Sequence, residues 1–134
     1  MKMLKFVLLV GLSLPLTADD KRLASVKRIC IGTIAEIGLG EPGEFVRTAV
    51  RFELTKFGFT VVDAAANADA ILNMTARSSW PNTGVLSLAV LKTPDGENIW
   101  EKEFQNRGAQ GTFSRAQSIA KTLRKDVALA TKGR

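Results

Sequence analysis

The feature that most constrains the fold is a hairpin pattern in the second half of the chain. Val85–Lys92 is apolar at almost every position, and Asn98–Gln105 places Trp100 and Phe104 on one side and charged residues on the other. The intervening TPDG, Thr93–Gly96, is a strong turn signal, because proline fixes φ and glycine accepts the left-handed conformation. Strands joined by so short a turn are antiparallel. The pattern therefore excludes a wholly parallel sheet and predicts a charged edge strand.

Periodicity elsewhere predicts two helices and three further strands. Apolar residues at helical spacing predict one helix from Val46 to Phe57, ended by Gly58, and another over Arg115–Thr131 behind a capping box that starts at Ser114. The strand patterns are Val26–Ile37, Phe59–Asp63 and an alternating run in which Ala70, Leu72, Met74 and Ala76 form the face turned to the core. The sequence thus predicts an α+β, two-layer fold in which two main helices pack on a mixed sheet of four or five strands, in the order β-α-β-β-β-β-α.

The first 18 residues have the composition of a removable export signal. Two lysines precede an apolar run from Phe6 to Leu16, and Ala18 is a small residue at the predicted cut. The apolar run is too short to span a bilayer. We therefore expect residues 1–18 to be a signal peptide and 19–134 a single exported domain, soluble in the periplasm or outside the cell. Removing the signal would lower the net charge from +6 to +4.

A G-x-G-x-x-G pattern raises the possibility of a nucleotide site. Gly38, Gly40 and Gly43 follow a predicted strand and precede a predicted helix, and Asp63 ends the next strand, where a ribose-binding acid would lie. Against this, Pro42 removes a backbone donor from the loop, and glutamates flank it where phosphates would bind. The antiparallel hairpin also leaves no second βαβ half. We interpret the glycines as a helix-entry loop, and keep nucleotide binding as the alternative.

Recognisable catalytic centres are missing from the sequence. The chain contains no histidine and a single cysteine, Cys30, which excludes histidine-based acid–base chemistry and thiolate metal clusters. Cys30 lies in a strand pattern, where we expect a buried thiol. It also lies too far from the predicted cut to be a lipid acceptor. The sequence thus predicts a non-catalytic protein with no metal or cofactor.

Positive charge is concentrated in the last predicted helix. Its cations, together with Trp80 in a loop, are the candidate contact residues: Trp80, Arg115, Lys121, Arg124 and Lys125. They would suit an acidic partner or an anionic envelope surface. The alternative is a solvated helix face that keeps the protein soluble. A pair of arginines on the first helix, Arg47 and Arg51, is expected to repel mildly.

Two segments carry a resemblance to bacterial envelope domains. They are FELTKFGFTVVDAAANADAIL, Phe52–Leu72, and VLSLAVLKTPDGENIWEKEF, Val85–Phe104. Together they resemble the curli-secretion lipoprotein and the N-terminal domain of the Tol system's propeller protein. This resemblance implies an α/β fold, an envelope location and a structural or assembly role. The lipidated cysteine of the curli-type proteins has no counterpart here.

These observations lead to a functional hypothesis. We expect an exported, non-catalytic interaction or assembly module of the bacterial envelope that binds an envelope protein or an anionic envelope surface. We expect no nucleic acid partner and no transmembrane span after export. The sequence leaves the oligomeric state open.

Overall fold

One mixed sheet and three helices make up most of the structure, a computed structural model that describes residues 18–37, 43–79, 84–106 and 112–132. In chain order the elements are α1 (Ala18–Ala24), β1 (Arg28–Ile37), α2 (Gly43–Lys56), β2 (Thr60–Val62), β3 (Ala70–Ser79), β4 (Gly84–Lys92), β5 (Asn98–Asn106) and α3 (Thr112–Lys132). The predicted α+β class and element order are confirmed. α1 was not predicted from the sequence. The predicted signal peptide lies almost wholly outside the described residues and stays a prediction.

The sheet combines a parallel half and an antiparallel half. Its strand order is β2-β1-β3-β4-β5. β1 runs parallel to β2 and β3, whereas β4 is antiparallel to both β3 and β5. The predicted hairpin forms, with Gly96 at φ +96° and its N–H donating to the Thr93 carbonyl at 2.9 Å. β5 is an edge strand, as its charged residues predicted.

One face of the sheet is covered by α2 and α3 and forms the core. Four residues of β3 were predicted to face the core, and each is at most 2% exposed: Ala70, Leu72, Met74 and Ala76. α2 ends at Lys56, one residue before the predicted end, and the predicted terminating residue Gly58 follows it with φ +96°. There Phe59 N donates to Leu54 O and Gly58 N to Thr55 O, both at 3.0 Å, which satisfies two carbonyls of the last turn.

The predicted start of the last helix is wrong. α3 begins at Thr112, so Ser114 lies inside its first turn rather than at the N-cap. The Ser114 carbonyl accepts a hydrogen bond from the Ser118 hydroxyl at 3.1 Å, as a residue within a helix can. The capping-box spacing therefore marked a serine and a glutamine that are both part of the helix.

β1 contains a bulge that the sequence analysis did not predict. Between Ile31 and Ile34 its register against β3 shifts by one residue, so Gly32 and Thr33 together oppose Asn73. Asn73 Oδ1 accepts a hydrogen bond from Thr33 N at 2.7 Å. From the other side, Arg47 donates to the carbonyls of Ile31 at 2.7 Å and Gly32 at 2.8 Å. Two polar side chains thus satisfy the backbone groups that the bulge removes from the ladder.

Candidate functional site

A cleft of about 890 Å³ opens at the end of the molecule where β1 and β3 begin and α3 ends. We call it the cationic cleft. It lies between the segment after α1, the first residues of β1, and the last turns of α3. Its lining residues are Ala24, Ser25, Val26, Lys27, Arg28, Thr60, Asp69, Arg124, Val127, Ala128, Thr131 and Lys132.

Asp69 fixes one wall of the cationic cleft. Its Oδ2 accepts hydrogen bonds from the backbone N–H groups of Lys27 at 2.9 Å and Arg28 at 2.8 Å. Its own N–H donates to the Arg28 carbonyl at 2.8 Å. Partial burial opposes ionisation of Asp69, but these backbone donors and the Arg28 charge outweigh it and lower its pKa below the ordinary value. Asp69 is therefore an ionised carboxylate that is already engaged by the backbone.

Positive charge dominates the cleft. Four cations line it, Lys27, Arg28, Arg124 and Lys132, and Asp69 is the one carboxylate among its described lining residues. The local balance is thus +4 − 1 = +3. The Arg124 guanidinium lies 5.4 Å from the centre of the Phe59 ring, a cation–π contact that positions it without neutralising it. Within the described chain, no acceptor is paired with the ammonium groups of Lys27 and Lys132.

A second feature is an aromatic patch on the outside of the helical layer, formed by Phe45, Phe52 and Phe113. These side chains are 46%, 58% and 44% exposed. The Phe113 ring meets Phe45 and Phe52 edge to face, with centroid separations of 5.7 and 6.1 Å. Three phenylalanines from two helices therefore form one continuous apolar surface in water.

Asp63 lies far along the sheet from the end of β1, after which the predicted glycine loop begins. Asp63 follows β2, whose last residue Val62 pairs with Cys30, while β1 continues to Ile37 before the glycine loop. At about 3.3 Å per residue, Ile37 lies roughly 20 Å farther along the strand than the level of Asp63. In a dinucleotide fold the acid lies beside the glycine loop.

The other residues of the nucleotide-binding alternative have separate places in the structure. Asp63 accepts a hydrogen bond from Arg51 at 2.8 Å. Gly43 is the first residue of α2, whereas Gly38 and Gly40 lie outside the described residues. Arg47 and Arg51, expected to repel each other, are held by different acceptors, Arg47 by the bulge carbonyls and Arg51 by Asp63.

The predicted basic helix divides into three environments. Arg115 is only 3% exposed and contributes no exposed contact surface. Lys121 and Lys125 are exposed to solvent, whereas Arg124 lines the cationic cleft. Trp80, the other candidate contact residue, lies outside the described residues. The single cysteine, Cys30, is buried as predicted.

The described ranges hold no group of three or more metal-ligating side chains and no helix both long and apolar enough to cross a membrane. The cationic cleft was not predicted from the sequence, because its walls come from distant segments. The aromatic patch was not predicted either, although a signal for it existed: Phe45 and Phe52 are seven residues apart, which is two helical turns.

Comparison with known proteins gives matches in structure alone. No protein-family model and no curated protein matches the sequence. PelC of Paraburkholderia phytofirmans, a dodecamer in its crystals, matches with a TM-score of 0.57 and 20% identity over 82% of this chain and 91% of PelC. Lipoprotein GNA1162 of Neisseria meningitidis matches with a TM-score of 0.47 and 16% identity over 73% of this chain and 94% of that one. The neighbours are bacterial envelope-type proteins, and the PelC match shows a shared fold. The likeness to curli and Tol proteins stays a prediction.

Proposed function

We propose that this protein is an exported, non-catalytic assembly module of the bacterial cell envelope that binds another envelope protein through its aromatic patch. The observation that carries the proposal is the cluster of Phe45, Phe52 and Phe113, each more than two fifths exposed, in which the Phe113 ring contacts the other two. Leaving such a surface in water is unfavourable, and contiguous apolar patches on otherwise polar proteins mark sites of protein association.

The fold and the leader pattern support the same proposal. PelC, which shares the fold, assembles from many copies. The export signal predicted for residues 1–18 would deliver this chain to the same compartment as envelope assemblies. The three phenylalanines of the aromatic patch lie in segments that are already helical, so little backbone conformational entropy is lost when a partner covers them.

Copurification tests the proposal. Tagged full-length protein is expressed in its native host, the envelope is solubilised in mild detergent, and copurifying proteins are quantified. The double variant Phe45→Ser/Phe52→Ser is expected to lose the partner, since it removes most of the patch. The matched control is Leu129→Ser, because Leu129 is 55% exposed on α3 and lies outside the aromatic patch. Equal recovery of the partner with both variants would refute the role of the patch.

The export step has its own test. The intact mass of protein recovered from the envelope fraction is expected to correspond to a chain that lacks about 18 residues. Full-length chain in the cytosol would contradict export. The copurification experiment would then still test whether the aromatic patch binds a partner.

A further inference from the structure

We propose that the cationic cleft is a binding site for a phosphomonoester, an organic compound that carries a doubly charged phosphate group. This inference goes beyond the proposed assembly role, which depends on the aromatic patch. The two surfaces share no residue, since the cleft is built from the start of β1 and the end of α3.

The charge of the cleft sets the charge of its ligand. Four cations line the cleft, and one of them, Arg28, forms an ion pair at 3.5 Å with the only carboxylate among its described lining residues, Asp69, which also accepts two backbone N–H groups. The excess of three positive charges is left for a ligand to balance. A phosphomonoester dianion offsets more of that excess than a single carboxylate does. It also presents three terminal oxygens to several donors at once.

The donors present are those that phosphate recognition uses. Arg124 is positioned by its contact with the Phe59 ring, so its guanidinium fork is partly ordered before any ligand binds. Lys27 and Lys132 add ammonium donors from two different segments. Since Lys27 and Lys132 are not paired to any described acceptor, binding an anion breaks no ion pair of theirs.

The remaining walls favour an organic ligand over a bare ion. Ala24, Val26, Val127 and Ala128 give the cleft apolar sides. Its volume of about 890 Å³ is in the range of sites that hold small organic molecules. A ligand with a phosphate at one end and a short carbon skeleton would contact both the cations and the apolar walls. The headgroup of phosphatidic acid and a soluble sugar phosphate share this chemistry.

Binding is measured by NMR titration of the ¹⁵N-labelled domain with glycerol 3-phosphate, with acetate as the monocarboxylate comparison. Saturable shifts are expected at the amides of Lys27, Arg28 and Lys132, with acetate much weaker. The double variant Arg124→Gln/Lys132→Gln is expected to weaken binding about tenfold. The matched control Lys121→Gln/Lys125→Gln removes the same net charge from the same helix outside the cleft and is expected to bind as the wild type does.

Each other outcome overturns the inference. Equal weakening by the two double variants would mean that net charge alone attracts the anion, and shifts that do not saturate would mean that no site exists. If Arg124→Gln disturbs folding through its contact with Phe59, the variant Lys27→Gln/Lys132→Gln leaves that contact intact and is expected to weaken binding by the same factor as Arg124→Gln/Lys132→Gln.

Flotation with phosphatidylcholine vesicles, with and without phosphatidic acid, then distinguishes a lipid headgroup from a soluble phosphate. Because the titration uses purified protein, its failure leaves the assembly proposal standing.

Discussion

Replacement of Gly32 by alanine tests the account of the β1 bulge. A Cβ at Gly32 would lie 2.8 Å from Cγ2 of Ile71 and closer still to Oδ1 of Asn73. Asn73 would have to move, and its hydrogen bond from Thr33 N at 2.7 Å would be lost. Forcing one extra carbon into a packed site costs about 1 to 3 kcal/mol, and the hydrogen bond adds about 1 kcal/mol. We expect Gly32→Ala to lower the free energy of unfolding by about 2 to 4 kcal/mol.

A double-mutant cycle isolates the cause. Asn73→Ala alone is expected to cost about 1 kcal/mol, because it removes the same hydrogen bond without a clash. In Gly32→Ala/Asn73→Ala the nearest colliding atom is gone, so the double variant is expected to be more stable than Gly32→Ala alone. Urea denaturation of the four proteins gives the coupling energy, and the slope of each transition shows whether the unfolded state has changed. Additive costs would refute the reasoning, since they would mean that Asn73 is not what Gly32 makes room for.

Three further predictions concern other polar contacts. Asp69→Asn is expected to cost about 1 kcal/mol at neutral pH. Because the folded-state pKa of Asp69 is lowered, this difference should persist above the ordinary value of 3.8 and vanish as the pH falls through the folded-state pKa, which urea titrations at several pH values would show. Trp100→Phe removes the 2.8 Å hydrogen bond from Nε1 to Asp126 Oδ2 and should lower the free energy of unfolding by about 1.5 to 3 kcal/mol. In an Asp126→Ala background the same substitution should cost clearly less, and chemical denaturation measures both costs. Glu53 is 4% exposed, and its Oε1 has no hydrogen bond within the described chain, only an ion pair at 3.9 Å with Lys56, whose side chain is 54% exposed. Replacing such a weakly paired buried charge by a hydrophobic residue removes its desolvation cost, so Glu53→Met should raise the free energy of unfolding by about 1 kcal/mol. A lower melting temperature in thermal denaturation would contradict this.

The sequence predicted the elements whose signals are local. The hairpin at Thr93–Gly96 and the helix end at Gly58 each depend on a few adjacent residues, and both form as predicted. The alternation from Ala70 to Ala76 also predicted correctly which face of β3 is buried, because successive side chains of a strand point to opposite faces and only one of these faces is apolar here. The start of α3 was wrong by about one turn. Capping-box spacing also occurs inside helices, so it does not fix a boundary without the backbone geometry.

Long-range features were beyond local patterns. The cationic cleft joins Lys27, Asp69 and Lys132, which are separated by tens of residues and meet only through the strand order and the placement of α3. The burial of Arg115, which is 3% exposed, was missed because helical periodicity groups residues by angle and does not show what packs against each of them. Spacing alone also did not show that β1 extends seven residues beyond its pairing with β2, which separates Asp63 from the end of β1.

Site-specific photo-crosslinking in living cells tests the central claim most directly. A photoreactive residue is placed at position 52, in the aromatic patch, or at position 129, where the native leucine is similarly exposed (55% against 58%) but lies outside the patch. The account predicts one defined envelope protein crosslinked from position 52 and not from position 129, attached to a chain that has lost its leader. No product at position 52, the same products at both positions, or crosslinks confined to unprocessed chain in the cytosol would contradict it.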